Sequence, residues 1–372
     1  MNQASADQTF MVRAIQLAKK GQYTTHPNPR VGCVIVKDNK IIGEGFHQRA
    51  GYAHAEINAM KAATQSLQNA TAYVTLEPCS HKGKTPPCAD ALVESGISRV
   101  VIAMQDPNPQ VTGQGIKKLE DAGIDLEIGI LETESRALNP GFIKRMEQGL
   151  PWVRVKLAMS LDGRTAMASG ESQWITGEAA RADVQRLRAS ADAVMTGSGT
   201  AIADDPALNV RLTEDELGIE GHVHQPLRVV LDSRLRMPLE AKMLTLDGET
   251  LIYTCADKLQ STKQLESAGA RIEILESETD RLSLEAVLKD LAKKHINEVH
   301  VEAGATLCGA LLQQRFVDEL VIYMAPSILG SDARGLLELP GLDQMKDKIN
   351  LDIKDIRAVG SDWRIRALPL YK

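Results

Sequence analysis

The chain has 372 residues, 43% of them hydrophobic and 25% charged, with a net charge of −6. It is longer than one hydrophobic core usually organises, so two domains are expected. The acidic balance excludes a general nucleic-acid-coating surface, and aromatic residues at 3% offer few platforms for stacking bases. The opening MNQASADQTF has neither the basic start nor the apolar run of a signal peptide, and no later stretch stays apolar long enough to span a bilayer. A cytoplasmic location with no membrane and no nucleic-acid partner is therefore expected. Five cysteines in so long a chain argue against a disulfide framework and leave metal or catalytic use open. Cys33, Cys255 and Cys308 sit among apolar or small residues and read as buried, inert thiols.

Over 7–20, Phe10, Ala14, Leu17 and Ala18 recur at helical spacing, with Asp7 placed to cap the helix. The β-branched run 31–36, the turn-like 37–40 and the apolar 41–46 predict a hairpin. Helices over 54–64, 89–95 and 116–122 then alternate with strands over 72–76, 99–104 and 126–130, the pattern of a layered α/β domain. Pro140, Gly141, Gly149 and Pro151 surround a short basic stretch, and the boundary is placed there, giving domains 1–148 and 149–372. The second part alternates again, with strands over 153–159, 193–196, 227–231, 250–254, 299–302 and 320–324. It closes on an antiparallel hairpin, 351–358 and 363–368, around Gly360 and Ser361.

His54-Ala55-Glu56 is followed by Pro78-Cys79 and then by Pro87-Cys88. One imidazole and two thiolates form a three-ligand zinc set of the kind that leaves a position open for water. Glu56, two residues beyond His54, is free to act as the proton shuttle, taking a proton from water and delivering it to a leaving amine. A structural zinc with a fourth ligand from His81 or His47, or a loop His81 that touches substrate, is the alternative that the residues themselves leave open.

Histidine-x-glutamate, then proline-cysteine, then a second cysteine is the signature of zinc nucleobase deaminases, but Cys79 and Cys88 are further apart here than the usual C-x-x-C. The stretch from Pro78 to Cys88, with Pro27-Asn-Pro-Arg-Val-Gly-Cys33 upstream, resembles the bifunctional deaminase/reductase family of riboflavin biosynthesis. The resemblance continues through Lys156-Leu-Ala-Met-Ser-Leu-Asp-Gly-Arg164, Ser172-Gln-Trp-Ile-Thr176, Gly197-Ser-Gly-Thr200, Ala203-Asp-Asp-Pro206 and Val301-Glu-Ala-Gly304. It implies an α/β fold class throughout: a cytidine-deaminase-like α/β/α domain followed by a dihydrofolate-reductase-like α/β domain. The implied reactions are zinc-dependent deamination of 2,5-diamino-6-(ribosylamino)-4(3H)-pyrimidinone 5′-phosphate, with one Zn2+ per chain, and NADPH-dependent reduction of its ribosyl group.

The resemblance also implies ligands and contacts: His54, Cys79 and Cys88 for the metal with Glu56 catalytic; Ala158, Trp174, Thr200, Asp204, Ser233 and Gly304 for the cofactor; Ser172, Arg188, Leu208, Arg211 and Glu302 for the phosphorylated pyrimidine substrate. Arg188 and Arg211 suit a clamp on the ribose 5′-phosphate, and Ser233 with Arg234 suits the 2′-phosphate of NADPH. From the residues alone, Arg188 reads as part of a solvated basic helix face, and Trp174 reads equally as a core aromatic. Lys156, in an otherwise apolar strand, is either a cleft-facing cation or one that snorkels to solvent. Gly304, after a strand and before a helix, offers backbone N–H groups to a phosphate, and the turn 196–200 allows close backbone approach, although packing glycines read the same way. Two other classes compete: a deaminase of bases within RNA, and a binding protein with a structural zinc. Oligomeric state is left open.

Overall fold

The computed structural model describes residues 3–80, 87–109, 111–256, 258–277 and 280–371. His81 and the Lys82-Gly83-Lys84 stretch lie outside the described residues. The chain divides into two compact units, Met1–Leu150 and Pro151–Lys372. Among the described residues no helix is long and apolar enough to cross a membrane.

The first unit runs α1 (Gln3–Ala18), β1 (Gly32–Lys37), β2 (Lys40–Phe46), α2 (Ala55–Lys61), β3 (Thr71–Val74), α3 (Cys88–Glu94), β4 (Arg99–Ile102), α4 (Gln114–Asp121), β5 (Asp125–Ile128), α5 (Glu132–Arg136) and α6 (Pro140–Gln148). Its sheet has the order β2-β1-β3-β4-β5. The β1–β2 hairpin closes through Asp38 and Asn39, both at positive φ, the geometry of a two-residue turn whose twist matches that of the strands. β1 pairs antiparallel with β3, whereas β3–β4 and β4–β5 are parallel.

Period-2 alternation splits the core of this unit between the two faces of the sheet. Cys33, Ile35, Ala72, Val74, Val100 and Ile102 pack on one face with residues of α2, α3 and α4. Val34, Val36, Tyr73 and Val101 pack on the other with α1. Asp7 does not cap α1. It lies inside the helix, buried, where the Arg99 guanidinium donates to both carboxylate oxygens (2.8 and 3.0 Å) and the Tyr73 hydroxyl to one (2.8 Å). The segment at which the boundary was placed forms α6, and Asn139 holds its start to the first unit by exchanging hydrogen bonds with the Arg30 backbone (2.7 and 2.9 Å).

The second unit contains β6 (Trp152–Ser160), β7 (Arg164–Ala166), α7 (Glu178–Ala189), β8 (Ala193–Gly197), α8 (Ser198–Asp204), α9 (Glu214–Leu217), β9 (Leu227–Leu231), α10 (Lys242–Thr245) and β10 (Thr250–Thr254). It continues with α11 (Leu259–Ser267), β11 (Ala270–Ile274), α12 (Leu284–Lys293), β12 (Glu298–Val301), α13 (Ala305–Gln313), β13 (Glu319–Ala325), β14 (Arg334–Gly335), β15 (Asn350–Val359) and β16 (Asp362–Leu370). Nine strands form one sheet in the order β11-β10-β9-β8-β12-β6-β13-β16-β15, parallel as far as β13 and antiparallel through the closing hairpin β15–β16. The inner strands β8 and β12 are buried almost throughout, as expected where helices cover both faces. β7 and β14 make a separate two-stranded ribbon. Both units are α/β.

Candidate active sites

In the first unit, α2 and the turn after β3 converge. α2 sits tightly on β2 because Gly43 and Gly45 carry no side chain: a Cβ at either position would overlap the backbone of α2. His54 is the residue before the first turn of α2, and Glu56 lies within that turn. Cys88 opens α3. The backbone N–H of Cys88 donates to Cys79 Sγ (3.3 Å), and that of Ala89 to the Cys79 carbonyl (3.1 Å), so the two cysteine-bearing segments are tied directly.

His54, Cys79 and Cys88 place one ligand atom each within 4.8 Å of one another. His54 Nδ1 lies 3.5 Å from Cys79 Sγ and 3.3 Å from Cys88 Sγ. Ligands at ~2.0–2.3 Å in a tetrahedron are separated by about 3.3–3.8 Å, so the donor set fits zinc in both chemistry and spacing. Hydrogen bonds from the Cys88 side chain, from His54 and from the Cys88 backbone N–H, acting against burial, pull the Cys79 thiol below its ordinary range, which favours the thiolate. The Glu56 carboxyl is 3% exposed and within hydrogen-bonding reach of Cys88, and burial pushes it up to about 7 against the opposing charge of His54.

His47 is not a further ligand. Its Nδ1 bonds the Ala53 carbonyl (3.2 Å), an acceptor, so Nδ1 carries the proton and Nε2 accepts from the Asn28 amide (3.1 Å). The ring stands edge-on to that of His54, with centroids 5.3 Å apart, and burial lowers its basicity. Asn28 was not singled out from sequence, although it lies within the Pro27-Asn-Pro-Arg motif.

In the second unit a cleft of about 1210 Å³ opens beside the C-terminal ends of β6, β8 and β12, the usual ligand edge of a parallel α/β sheet. Of the expected cofactor contacts, Ala158, Trp174, Thr200, Asp204 and Gly304 line it; Ser233 does not, and its Oγ accepts from the Leu282 N–H (3.3 Å). All five expected substrate contacts, Ser172, Arg188, Leu208, Arg211 and Glu302, line the same cleft. Lys156 faces it too, half-buried. Gly304 precedes the first turn of α13, so free N–H groups of that nine-residue helix end at the cleft.

Trp174 is no core aromatic. It is 70% exposed, and the Arg181 guanidinium covers one ring face at 4.7 Å from the centroid while donating to the Thr176 carbonyl (2.7 Å). Arg188 is not a solvated cation either. Its Nε and Nη2 donate to the two Glu302 oxygens (2.5 and 3.0 Å), and Nη1 donates to the Asn209 carbonyl (3.0 Å). Burial alone would raise the Glu302 carboxyl; the Arg188 charge, the His300 ring 3.5 Å away, the hydrogen bonds from Arg188 and the Lys156 charge hold it well below the ordinary range. Arg188 is thus committed to Glu302, whereas Arg211 makes no ion pair among the described residues.

Residues 4–104 match the cytidine and deoxycytidylate deaminase zinc-binding region, and residues 151–365 match the RibD C-terminal domain. With the geometry above, this defines a zinc-binding deaminase joined in one chain to a nicotinamide-cofactor reductase. The chain is 51% identical over 361 residues to riboflavin biosynthesis protein RibD of Escherichia coli K12, covering 96% of this chain and 97% of that one. It superposes on Acinetobacter baumannii RibD with a TM-score of 0.91 at 46% identity, covering 99% and 100% of the two chains. The Thermotoga maritima diaminohydroxyphosphoribosylaminopyrimidine deaminase/5-amino-6-(5-phosphoribosylamino)uracil reductase gives 0.86 at 33% identity, covering 99% of each. The chain belongs to the RibD family and is a bifunctional deaminase and reductase of riboflavin biosynthesis.

Proposed function

We propose that the N-terminal domain, residues 1–148, deaminates 2,5-diamino-6-(ribosylamino)-4(3H)-pyrimidinone 5′-phosphate, and that the C-terminal domain, 149–372, reduces the product with NADPH to 5-amino-6-(5-phosphoribitylamino)uracil. The observation that carries the reading is the three-donor set His54, Cys79 and Cys88 with the buried Glu56 carboxyl against it. Three ligands, with no fourth histidine, cysteine or carboxylate grouped with them among the described residues, match a catalytic rather than a closed structural zinc.

One Zn2+ per chain, held by these residues, supplies the Lewis acidity that makes water a nucleophile at neutral pH. Glu56 takes a proton from the attacking water and passes it to the ring amino group; the C–O bond forms, the C–N bond breaks and ammonia leaves. The Cys88 N–H bond to Cys79 Sγ favours the thiolate needed to hold the metal.

In the reductase, NADPH supplies the hydride. The N–H groups at the start of α13 receive a cofactor phosphate, and the open face of Trp174 receives a flat ring. Ser233 and Arg234 take the 2′-phosphate from the turn after β9; Arg236 of that turn donates to Ser198 Oγ (2.8 Å) at the start of α8, which keeps the turn beside the cleft wall. Arg211 takes the substrate phosphate, while Arg188 orients Glu302. Incubating the pure protein with the diaminopyrimidine phosphate and NADPH, and following ammonia and NADPH separately, tests the reading. One ammonia and one NADPH per substrate are expected; ammonia without NADPH oxidation, once the deaminated product has accumulated, refutes the reductase half.

A further inference from the structure

Glu77 immediately precedes the Pro78-Cys79 pair and is 5% exposed. Its two carboxylate oxygens accept four backbone hydrogen bonds. Oε1 receives the N–H groups of Gly115 (2.9 Å) and Ile116 (3.2 Å), both in the first turn of α4, whose donors have no partner within the helix. Oε2 receives those of Asp106 (3.1 Å) and Gly113 (3.0 Å), at the two ends of the loop that leads into α4. The Glu77 N–H itself donates to the Met104 carbonyl (3.0 Å). Gly115 packs so closely on the Pro78 carbonyl that a Cβ would overlap it.

One turn further along α4 the connection is completed. Lys118 of α4 pairs with Asp90 of α3, the helix that begins with Cys88. A ring of contacts therefore runs from Cys79 through Glu77 to α4, across to α3 and back to Cys88, where the Cys88 N–H meets Cys79 Sγ. We propose that Glu77 is a positioning residue for the zinc ligands: its carboxylate anchors the Cys79 turn to α4 and thereby holds the Cys79–Cys88 spacing that the metal needs. Ligand spacing is then fixed by a buried carboxylate with four donors rather than by the chain between β3 and α3 alone. This rests on the zinc assignment proposed above.

Glu77→Gln tests it in the full-length protein. The amide presents two N–H groups to backbone donors, so half of the four hydrogen bonds are lost with little change of volume. Zinc content is measured first, then release to the chromogenic chelator 4-(2-pyridylazo)resorcinol from folded protein, with deamination kcat and KM and reductase turnover on the same samples. The expected result is zinc release about 10–100-fold faster, with deamination kcat reduced and reductase turnover unchanged. A folded E77Q that releases zinc at the wild-type rate overturns the proposal even if its Tm falls, because a helix cap without a role at the metal would lower stability alone. If E77Q does not fold, Gly115→Ala displaces Pro78 from the other side; accelerated release supports the proposal and wild-type release overturns it. Zinc absent from the wild-type protein would overturn the site assignment and the anchor with it, whereas zinc held equally by wild type and variant overturns the anchor alone.

Discussion

Replacing Arg188 by methionine removes one partner of a buried, bidentate ion pair and leaves the Glu302 carboxylate without its hydrogen-bonded counter-charge. Arg188 is 8% exposed and the Glu302 side chain 13%, so neither charge is solvated enough for water to take over. Breaking such a pair by removing one member destabilises by about 3–5 kcal/mol. For a unit of this size that lowers the melting temperature of the C-terminal transition by about 6–20 °C, at roughly 2–4 °C per kcal/mol. Calorimetry of the full chain, with ammonia release as the control on the first unit, reads the effect. The double variant R188M/E302Q should regain part of the loss, since no lone charge remains.

The pH dependence has a definite sign. In the wild type the Glu302 carboxyl is held below its ordinary value of 4.5, so the pair's contribution is full above that value and is lost as pH falls through the folded-state pKa. In R188M burial dominates and raises the folded-state pKa, so the variant loses stability as pH rises, tempered by the remaining His300 and Lys156 neighbours. The gap between the two proteins is therefore wider at about pH 7.5 than at about pH 5. An R188M protein within about 1 kcal/mol of wild type, with a gap independent of pH, would refute the reasoning by putting the pair in the class of solvated surface pairs.

Glu56→Gln should keep its zinc, by metal analysis, and lose about 10²–10⁴-fold in deamination rate; wild-type ammonia release would remove Glu56 from the proton path. Asp7→Asn should destabilise the N-terminal unit by about 1–3 kcal/mol. Burial opposes but does not overcome the bonds from Arg99, Tyr73 and Gln3, which hold Asp7 below 3.8, so the gap to wild type closes in acid melts as pH drops below that value. Trp174→Ala should weaken cofactor binding about tenfold, equivalent to ~1.4 kcal/mol, in a titration that leaves deamination unchanged; unaltered cofactor affinity would take the indole out of the cofactor site.

The chemistry-bearing residues of the first unit were legible because their spacing is local: His54 and Glu56 share one helix start, and Cys79 and Cys88 bracket one strand-to-helix connection. The strands with clean apolar runs, β1, β9, β10 and β13, lie where the pattern put them, and the final hairpin differs by a residue or two at its ends. α6 was hidden because Pro140 and Gly149 read as a break between domains, whereas proline at the first helical position and a left-handed glycine just past the end are what delimit it. β11, Ala270-Arg-Ile-Glu-Ile274, does alternate apolar and charged residues, but at five residues it is short and only Ala270 is buried, so it did not stand out between the helices on either side. Asp7 looked like a cap because Arg99 and Tyr73, its partners, come from β4 and β3, far along the chain. The same non-locality hid the Arg188–Glu302 pair, 114 residues apart, and the four donors of Glu77, which lie 29–39 residues on.

The central claim is that one chain carries two separate chemistries, of which only one needs metal. Stripping zinc from the full-length protein with a chelator, and assaying ammonia release from the diaminopyrimidine phosphate beside NADPH oxidation with the already deaminated pyrimidine, tests it most directly. The account predicts that ammonia release disappears and returns on adding zinc, while NADPH oxidation continues at its original rate throughout. Loss of both activities in a protein whose circular dichroism is unchanged, or ammonia release that survives complete removal of zinc, would contradict it.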